Sequence, residues 1–298
     1  MAQRAIDWSE QLAVAVERAG AGVLHLARRR HGASATVWDA AAGLVVTAHH
    51  ALGGDERAQL TDAGGAEREA EVVGRDPGTD LALLRVADPA GLVAPELREV
   101  DGLKVGHATL ALGRPGRSVR ASLRIVGVLG TEVRTPWGGR LERYVETDRG
   151  FPRGFSGGPL VDLEGRALGV NTSGLLRGAD VTVPTVTVRR VVGELLAHGS
   201  VRRGYLGVAV QRARLAGAAS AALGGQTGGA LVVRVDDDSP AARAGLVMGD
   251  VLVALDGEAV EGPDDVRQVL LDRRGKEIEA RIVRVGAVEA LRVTVGEQ

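Results

Sequence analysis

Asp148-Arg149-Gly150-Phe151-Pro152-Arg153-Gly154-Phe155-Ser156-Gly157-Gly158-Pro159-Leu160-Val161-Asp162 sets one serine between glycines, on an open loop that runs straight into an apolar strand. Glycine tolerates backbone angles that other residues avoid, so N–H groups in such a loop can point at one spot beside the hydroxyl. A serine hydroxyl is a weak nucleophile and needs a base next to it. Two upstream segments supply what is missing. Val45-Val46-Thr47-Ala48-His49-His50 carries imidazoles at the end of an apolar strand, and Gly78-Thr79-Asp80-Leu81-Ala82-Leu83-Leu84 carries a carboxylate at the start of another.

The order His, Asp, Ser is that of the chymotrypsin-type triad. A carboxylate opening an apolar run must be hydrogen-bonded to be tolerated, and orienting an imidazole N–H would satisfy it. Taken singly, each residue has a plainer reading. Asp80 closes the turn composition Asp76-Pro77-Gly78-Thr79-Asp80, and a histidine at a strand end is commonly structural. The serine motif also satisfies G-x-S-x-G, the nucleophile elbow of α/β-hydrolases. That fold places its base after the serine, where only His198 is available, and a helix directly behind the serine, which Gly157-Gly158-Pro159 forbids.

Composition narrows the class. At 298 residues, two or three domains are expected. A 45% hydrophobic and 25% charged content argues against disorder, and a net charge of -1 provides no chain-wide field for nucleic acid. The basic run Arg28-Arg29-Arg30 reads as a solvated loop. With no cysteine, disulfides, thiolate metal sites and a cysteine nucleophile are excluded. The scattered histidines show no zinc spacing, and His49-His50 would diverge on a strand. No apolar run reaches the ~18–20 residues of a membrane span. Asp7, Glu10, Glu17 and Arg18 interrupt any secretory apolar stretch, so the chain as given reads as cytoplasmic. An exported, periplasmic protein whose leader had been removed would read the same.

Along the chain, Asp7 with Glu10 predicts the cap of a short helix within residues 1–21, its face made by Trp8, Leu12, Val16 and Ala19. Residues 22–199 then show two groups of short strands. Val23–Leu26, Ala35–Trp38, Leu44–Thr47, Ala70–Val73 and Leu81–Val86 form the first. Thr109–Leu112, Arg120–Leu129, Leu141–Thr147, Pro159–Val161, Ala167–Asn171 and Val181–Val183 form the second. Turn residues separate them, predicting two antiparallel barrels closed by a helix over Val188–Ala197 that Gly199 terminates. Ser200–Gly204 is a polar hinge. Residues 200–298 follow as strands at Tyr205–Val210, Ala230–Val235, Val251–Leu255, Ile278–Val285 and Leu291–Val295, with short helices near Pro240–Ala244 and Pro263–Asp272.

The segments around His50, Asp80 and Ser156, with Ala111-Leu112-Gly113-Arg114-Pro115 and Arg202-Arg203-Gly204-Tyr205-Leu206-Gly207-Val208, resemble the HtrA/Deg family of trypsin-like serine proteases. The likeness runs from about Gly22 to Val295. It implies an all-β-dominated chain, a two-barrel chymotrypsin-like protease domain followed by a small α+β PDZ domain. It further implies His50 as general base, Asp80 as its orienting acid, Ser156 as nucleophile, and an oxyanion hole from the N–H groups of Gly154 and Ser156. Neither metal nor organic cofactor is called for.

Three departures stand out. The family usually has Asn at Phe155 and Ala at His49, and its glycine-serine-glycine strand opening is replaced by His31-Gly32-Ala33-Ser34-Ala35. Phe151 and Phe155 fall in the activation-sensitive loop, where docking of the rings would order the Gly154 N–H. Asn171, Thr172 and Ser173 are expected to border the specificity pocket.

In the last third, Tyr205, Leu206 and Gly207 resemble a PDZ carboxylate-binding loop. The strand behind them, Val208 to Val210, would offer its edge to an extended peptide. Asp238-Ser239-Pro240-Ala241-Ala242-Arg243-Ala244-Gly245-Leu246 and Gly249-Asp250-Val251-Leu252 strengthen the PDZ likeness. Val266, Val269 and Leu270 either line the groove or face the core. By resemblance the partners are unfolded or damaged proteins, cut after small or medium aliphatic residues, and peptide C-termini. The resemblance also implies a homo-oligomer, a trimer, and neither nucleic acid nor a membrane span is expected. Two other readings remain open: a catalytically locked chaperone or PDZ peptide-binding module, and an esterase using His198.

Overall fold

The computed structural model describes residues 2–28 and 32–297. His31 and the Arg29-Arg30 part of the basic run lie outside them. The chain divides into two compact units between Val201 and Arg202.

The first unit opens with helix α1, Ala2–Gly20. The helix starts well before Asp7, which therefore lies inside it instead of capping it. Ala2, Gln3, Arg4 and Ala5 are strong helix formers, and nothing among them stops the helix. Its buried face is Ala15 and Ala19, with Leu12 and Val16 partly covered, against Leu110, Leu112, Val161 and Ala167. Trp8, expected on that face, is 43% exposed.

Strands β1 (Val23–Leu26), β2 (Ala33–Asp39), β3 (Leu44–Ala48), β4 (Arg57–Thr61), β5 (Glu67–Asp76) and β6 (Leu81–Val86) close the first barrel in the order β1-β2-β3-β6-β5-β4. Its interior is a Leu, Val and Ala core that includes Leu24, Val37, Val45, Leu60 and Leu84. A one-turn helix, α2 (His49–Leu52), leaves the end of β3.

The second barrel uses β7 (Ala108–Gly113), β8 (Arg120–Gly130), β11 (Tyr144–Thr147), β12 (Pro159–Val161), β13 (Ala167–Leu176) and β14 (Ala179–Pro184), in the order β11-β14-β13-β12-β7-β8. A two-stranded ribbon, β9 (Val133–Arg134) with β10 (Arg140–Leu141), interrupts it. The single strand expected over Leu141–Thr147 is thus two strands. Glu142 breaks it: its carboxylate is drawn onto helix α3 (Thr185–His198), accepting from the Thr187 hydroxyl and from Arg190 Nε at 2.5 Å. Gly199 ends α3 in the left-handed conformation, φ 73°. The helix packs Val188, Val191, Val192 and Leu195 against Leu44, Val46, Leu81, Leu83 and Val183.

The second unit holds β15 (Gly204–Tyr205), β16 (Val208–Arg214), β17 (Gly228–Val235), β18 (Val251–Leu255), β19 (Glu258–Ala259), β20 (Glu277–Arg284), β21 (Ala287–Thr294) and β22 (Gly296–Glu297). Helices α4 (Gly217–Ala222), α5 (Pro240–Arg243) and α6 (Pro263–Leu270) interleave with them. The sheet runs β16-β17-β18-β20-β21, with β19 on β18, while β15 pairs with β22. The strand expected over Tyr205–Val210 is therefore broken. Gly207, at φ 80°, turns the chain between the two pairings.

Candidate functional site

His50 and Asp80 come from the same barrel, because β3 and β6 are antiparallel neighbours with Ala48 opposite Leu81. The second residue past the end of β3 and the residue just before β6 therefore meet. Two bonds fix the pair. The His50 backbone N–H donates to Asp80 Oδ1 at 2.9 Å, and His50 Nδ1 lies 2.6 Å from Asp80 Oδ2. Asp80 is buried and holds φ 56°, a left-handed value that a non-glycine residue keeps only when its surroundings enforce it. The enforcement is local: Asp76 caps the turn, accepting from Gly78 N at 3.1 Å and Thr79 Oγ1 at 2.6 Å. The turn role read for Asp80 belongs to Asp76, which leaves the Asp80 carboxylate for the imidazole.

Ser156 reaches the same cleft from the second barrel, in the loop before β12. The cleft, of about 190 Å³, is lined by His50, Ser156, Ser173, Gly154, Phe151 and Pro152 among others. Phe155 N donates to Pro152 O at 3.1 Å, and Gly154 sits at φ 85°, so Pro152–Phe155 is a turn whose third position demands glycine. A side chain there would also strike Pro115, since an added Cβ would lie 2.6 Å from the Pro115 Cβ. Among the described residues, neither the Gly154 nor the Ser156 backbone N–H has an acceptor. Donors held free beside a hydroxyl are what a developing oxyanion requires.

The first barrel stitches this loop down. Ser34 Oγ donates to Gly154 O at 2.6 Å and accepts from Arg114 N at 2.7 Å; Ser34 N donates to Ser156 O at 3.1 Å. Thr36 Oγ1 donates to Gly157 O at 2.8 Å. Sequence reasoning missed Ser34 and Thr36. Their signal was two hydroxyl residues alternating with alanine at the entry to β2, where an ordinary barrel strand would alternate with bulk.

The remaining candidates separate. Ser173 is exposed, its Oγ 3.0 Å from Ser156 Oγ. Thr172 is buried and donates its hydroxyl to Asp80 Oδ2. Asn171 is fully buried and accepts from Thr182 Oγ1 at 2.9 Å. Phe155 is 2% exposed, packed in the second-barrel core with Val126, Val145, Leu160 and Leu168, and Phe151 rests partly against that core. Gly174 abuts the imidazole: an added Cβ would come within 2.5 Å of His50 Nδ1. His49 does not line the cleft; its Nδ1 is buried with no partner among the described residues, and burial holds its pKa below the ordinary histidine value. His198 ends α3 and does not line the cleft.

In the second unit, β16 ends the sheet, and α6 packs beside it. Leu206, Val266, Val269 and Leu270 are buried in that unit's core, with Val208 and Val210 half-buried against it. Tyr205 Oη donates to Asp236 Oδ2 at 2.9 Å, which raises the phenol pKa. Asp236 N in turn donates to Gly207 O at 2.8 Å, pinning the loop before β16.

Comparison with known proteins agrees with this architecture. Residues 33–170 match a trypsin-like peptidase domain, and residues 231–284 match a PDZ domain. A probable periplasmic serine endoprotease DegP-like of Brucella suis is 33% identical over 261 residues, covering 85% of this chain and 50% of the relative. The periplasmic serine endoprotease DegP of Salmonella typhimurium is 34% identical over 265 residues, covering 85% of this chain and 54% of the relative. The chain thus spans about half the length of the curated relatives it matches. It is similar to the HtrA-type protease AlgW with decapeptide at 30% identity and a TM-score of 0.70, covering 96% of this chain and 98% of the other. Paired barrels, a serine loop facing a His–Asp pair and a following PDZ fold place this chain in the HtrA family of trypsin-like serine proteases.

Proposed function

We propose that the chain is a serine endopeptidase of HtrA type that cleaves unfolded or damaged proteins. Ser156 Oγ attacks the peptide carbonyl carbon, and His50 Nε2 takes the hydroxyl proton and later returns it to the leaving amine. Asp80 holds the Nδ1–H tautomer and stabilises the imidazolium. The Gly154 and Ser156 N–H groups receive the oxyanion, worth about 3–4 kcal/mol per donor. The observation that carries this reading is the 2.6 Å contact from His50 Nδ1 to Asp80 Oδ2, in a cleft whose other wall holds Ser156. The protease part corresponds to residues 22–199 and the PDZ part to 200–298.

The open edge of β16, following the Tyr205-Leu206-Gly207 loop, supports capture of peptide C-termini in the second unit. Calorimetry with a peptide ending in an apolar residue should show binding that its C-terminal amide loses. Assembly as a trimer is carried over from the family likeness. The relatives' periplasmic names favour an exported protein over the cytoplasmic expectation.

The test is fluorophosphonate labelling and casein cleavage with wild type and Ser156→Ala. Labelling and turnover that both vanish in the variant support the protease; casein cleavage that survives in Ser156→Ala overturns it. A second reading, a locked protease-like chaperone, draws on the hydrogen bond of Ser156 to Ser173 instead of to His50. A wild type left unlabelled with peptide present would favour it.

A further inference from the structure

One peptide group in the nucleophile loop is gripped by two opposite charges. The C=O of Gly150 accepts from Arg124 Nη2 at 3.0 Å, and the N–H of Phe151, in the same peptide plane, donates to Asp180 Oδ2 at 2.6 Å. Arg124 stands on β8 and Asp180 on β14, both next to β11 in the barrel, so the clamp is anchored on two strands that flank a third. Arg124 is 3% exposed, a costly place for a guanidinium unless its position is needed. Neighbouring residues extend the grip: Asp148 Oδ1 accepts from Ile125 N at 3.1 Å, and Asp148 N donates to Ile125 O at 2.8 Å. Gly150 leaves the room this needs, since an added Cβ would lie 2.9 Å from Asp180 Oδ2.

From that peptide the chain runs only four residues, Phe151 to Gly154, before it reaches the amides expected to hold the oxyanion. Pro152 stiffens this stretch, and the turn from Pro152 to Phe155 fixes its end. A rotation of the Gly150–Phe151 plane would therefore swing the Gly154 N–H. Charge-assisted bonds on both sides of the plane oppose such a rotation.

We propose that Asp180 and Arg124 are positioning residues for the oxyanion hole, which lock the Gly150–Phe151 peptide so that the Gly154 and Ser156 amides are held in place. Neither Arg124 nor Asp180 lines the cleft. It acts through the backbone, and it rests on the protease reading above.

The experiment measures kcat and KM on an internally quenched peptide substrate for wild type, Ser156→Ala, Asp180→Ala, Asp180→Asn and Gly150→Ala. Displacing one oxyanion donor is expected to lower kcat of Asp180→Ala roughly 10- to 100-fold with KM within about twofold. Asp180→Asn keeps an acceptor for the Phe151 N–H and should recover kcat to within about threefold of wild type. Gly150→Ala, a surface change that cannot empty a core, should reproduce the slow kcat by pushing Asp180 off its bond. Turnover that survives Ser156→Ala would fault the protease reading itself. With that control inactive, the clamp is overturned by a kcat for Asp180→Ala within about threefold of wild type. It is equally overturned by a loss carried by KM, or by an Asn variant as slow as the Ala one. Should Asp180→Ala fail to fold, Gly150→Ala decides alone by the same criterion.

Discussion

Ser156 Oγ is hydrogen-bonded to Ser173 Oγ at 3.0 Å and lies 3.4 Å from the Ser173 backbone nitrogen; among the described residues, no hydrogen bond joins it to His50. The Ser156 hydroxyl is therefore turned toward β13. His50 itself is already oriented, since Asp80 fixes both its backbone N–H and its ring. The His50–Asp80 pair is thus hydrogen-bonded, while the Ser156 hydroxyl bonds to Ser173.

Removing the competing hydroxyl should favour the productive rotamer. A neutral hydrogen bond contributes about 0.5–1.5 kcal/mol, so Ser173→Ala should speed fluorophosphonate labelling roughly two- to tenfold. Ser173→Thr keeps the hydroxyl and should label at the wild-type rate. Slower labelling of the alanine variant would mean that Ser173 assists the nucleophile instead of holding it back.

Thr172 gives Asp80 a third donor, next to the two from His50. Hydrogen bonds to buried charged groups contribute about 1.5–3 kcal/mol. Thr172→Val should cost about that much stability by denaturant unfolding. The carboxylate would also be left less firmly aimed, so kcat should fall on the order of tenfold while KM holds. Thr172→Ser, which keeps the hydroxyl, should hold both near wild type, and a serine variant no better than valine would show that the hydroxyl bond to Asp80 is not enough to account for them.

His49 predicts how stability depends on acidity. Burial, partly opposed by Asp80, holds its pKa below the ordinary value, so the folded protein keeps the ring neutral where the unfolded chain would protonate it. Stability is then complete above the unfolded value of about 6.5 and is lost as pH falls from there toward the lower folded value. His49→Ala, the residue usual in the family at this place, should flatten the decline of Tm as pH falls below about 6.5. Parallel Tm curves for the two proteins would assign the acid sensitivity to other groups.

How much of this could be read beforehand depended on whether the cause was local. His50, Asp80 and Ser156 each adjoin a dense apolar strand, so their segments stood out and their meeting followed from strand pairing. Strand β4 did not stand out: Arg57-Ala58-Gln59-Leu60-Thr61 buries only Ala58 and Leu60 between polar residues. The start of α1 was misplaced because Asp7 looked like a cap, although the helix formers before it cost nothing to extend. The bonds of Thr172 with Asp80, Ser34 with Gly154 and Asp180 with Phe151 join residues 92, 120 and 29 positions apart, and no periodicity signals such pairs. Phe155 was recognised as unusual, but its place in the core depends on a hole left by Gly113, where an added Cβ would lie 2.9 Å from the ring.

That burial makes Phe155 a structural position. The ring is docked with Val126, Val145, Leu160 and Leu168 while Gly154 holds φ 85°, so packing and loop geometry occur together. Phe155→Ala should destabilise the protease unit by about 3–5 kcal/mol, read as a lower urea midpoint. Phe155→Asn, which brings in the usual family residue, would bury an amide in an apolar site and should also lower the midpoint. If ring docking orders the Gly154 N–H, basal turnover of Phe155→Asn measured well below its Tm should fall, and a peptide ending in an apolar residue should restore part of it. Basal and peptide-stimulated rates equal to wild type would leave Phe155 with a packing role alone and separate the order of the oxyanion loop from the ring beneath it.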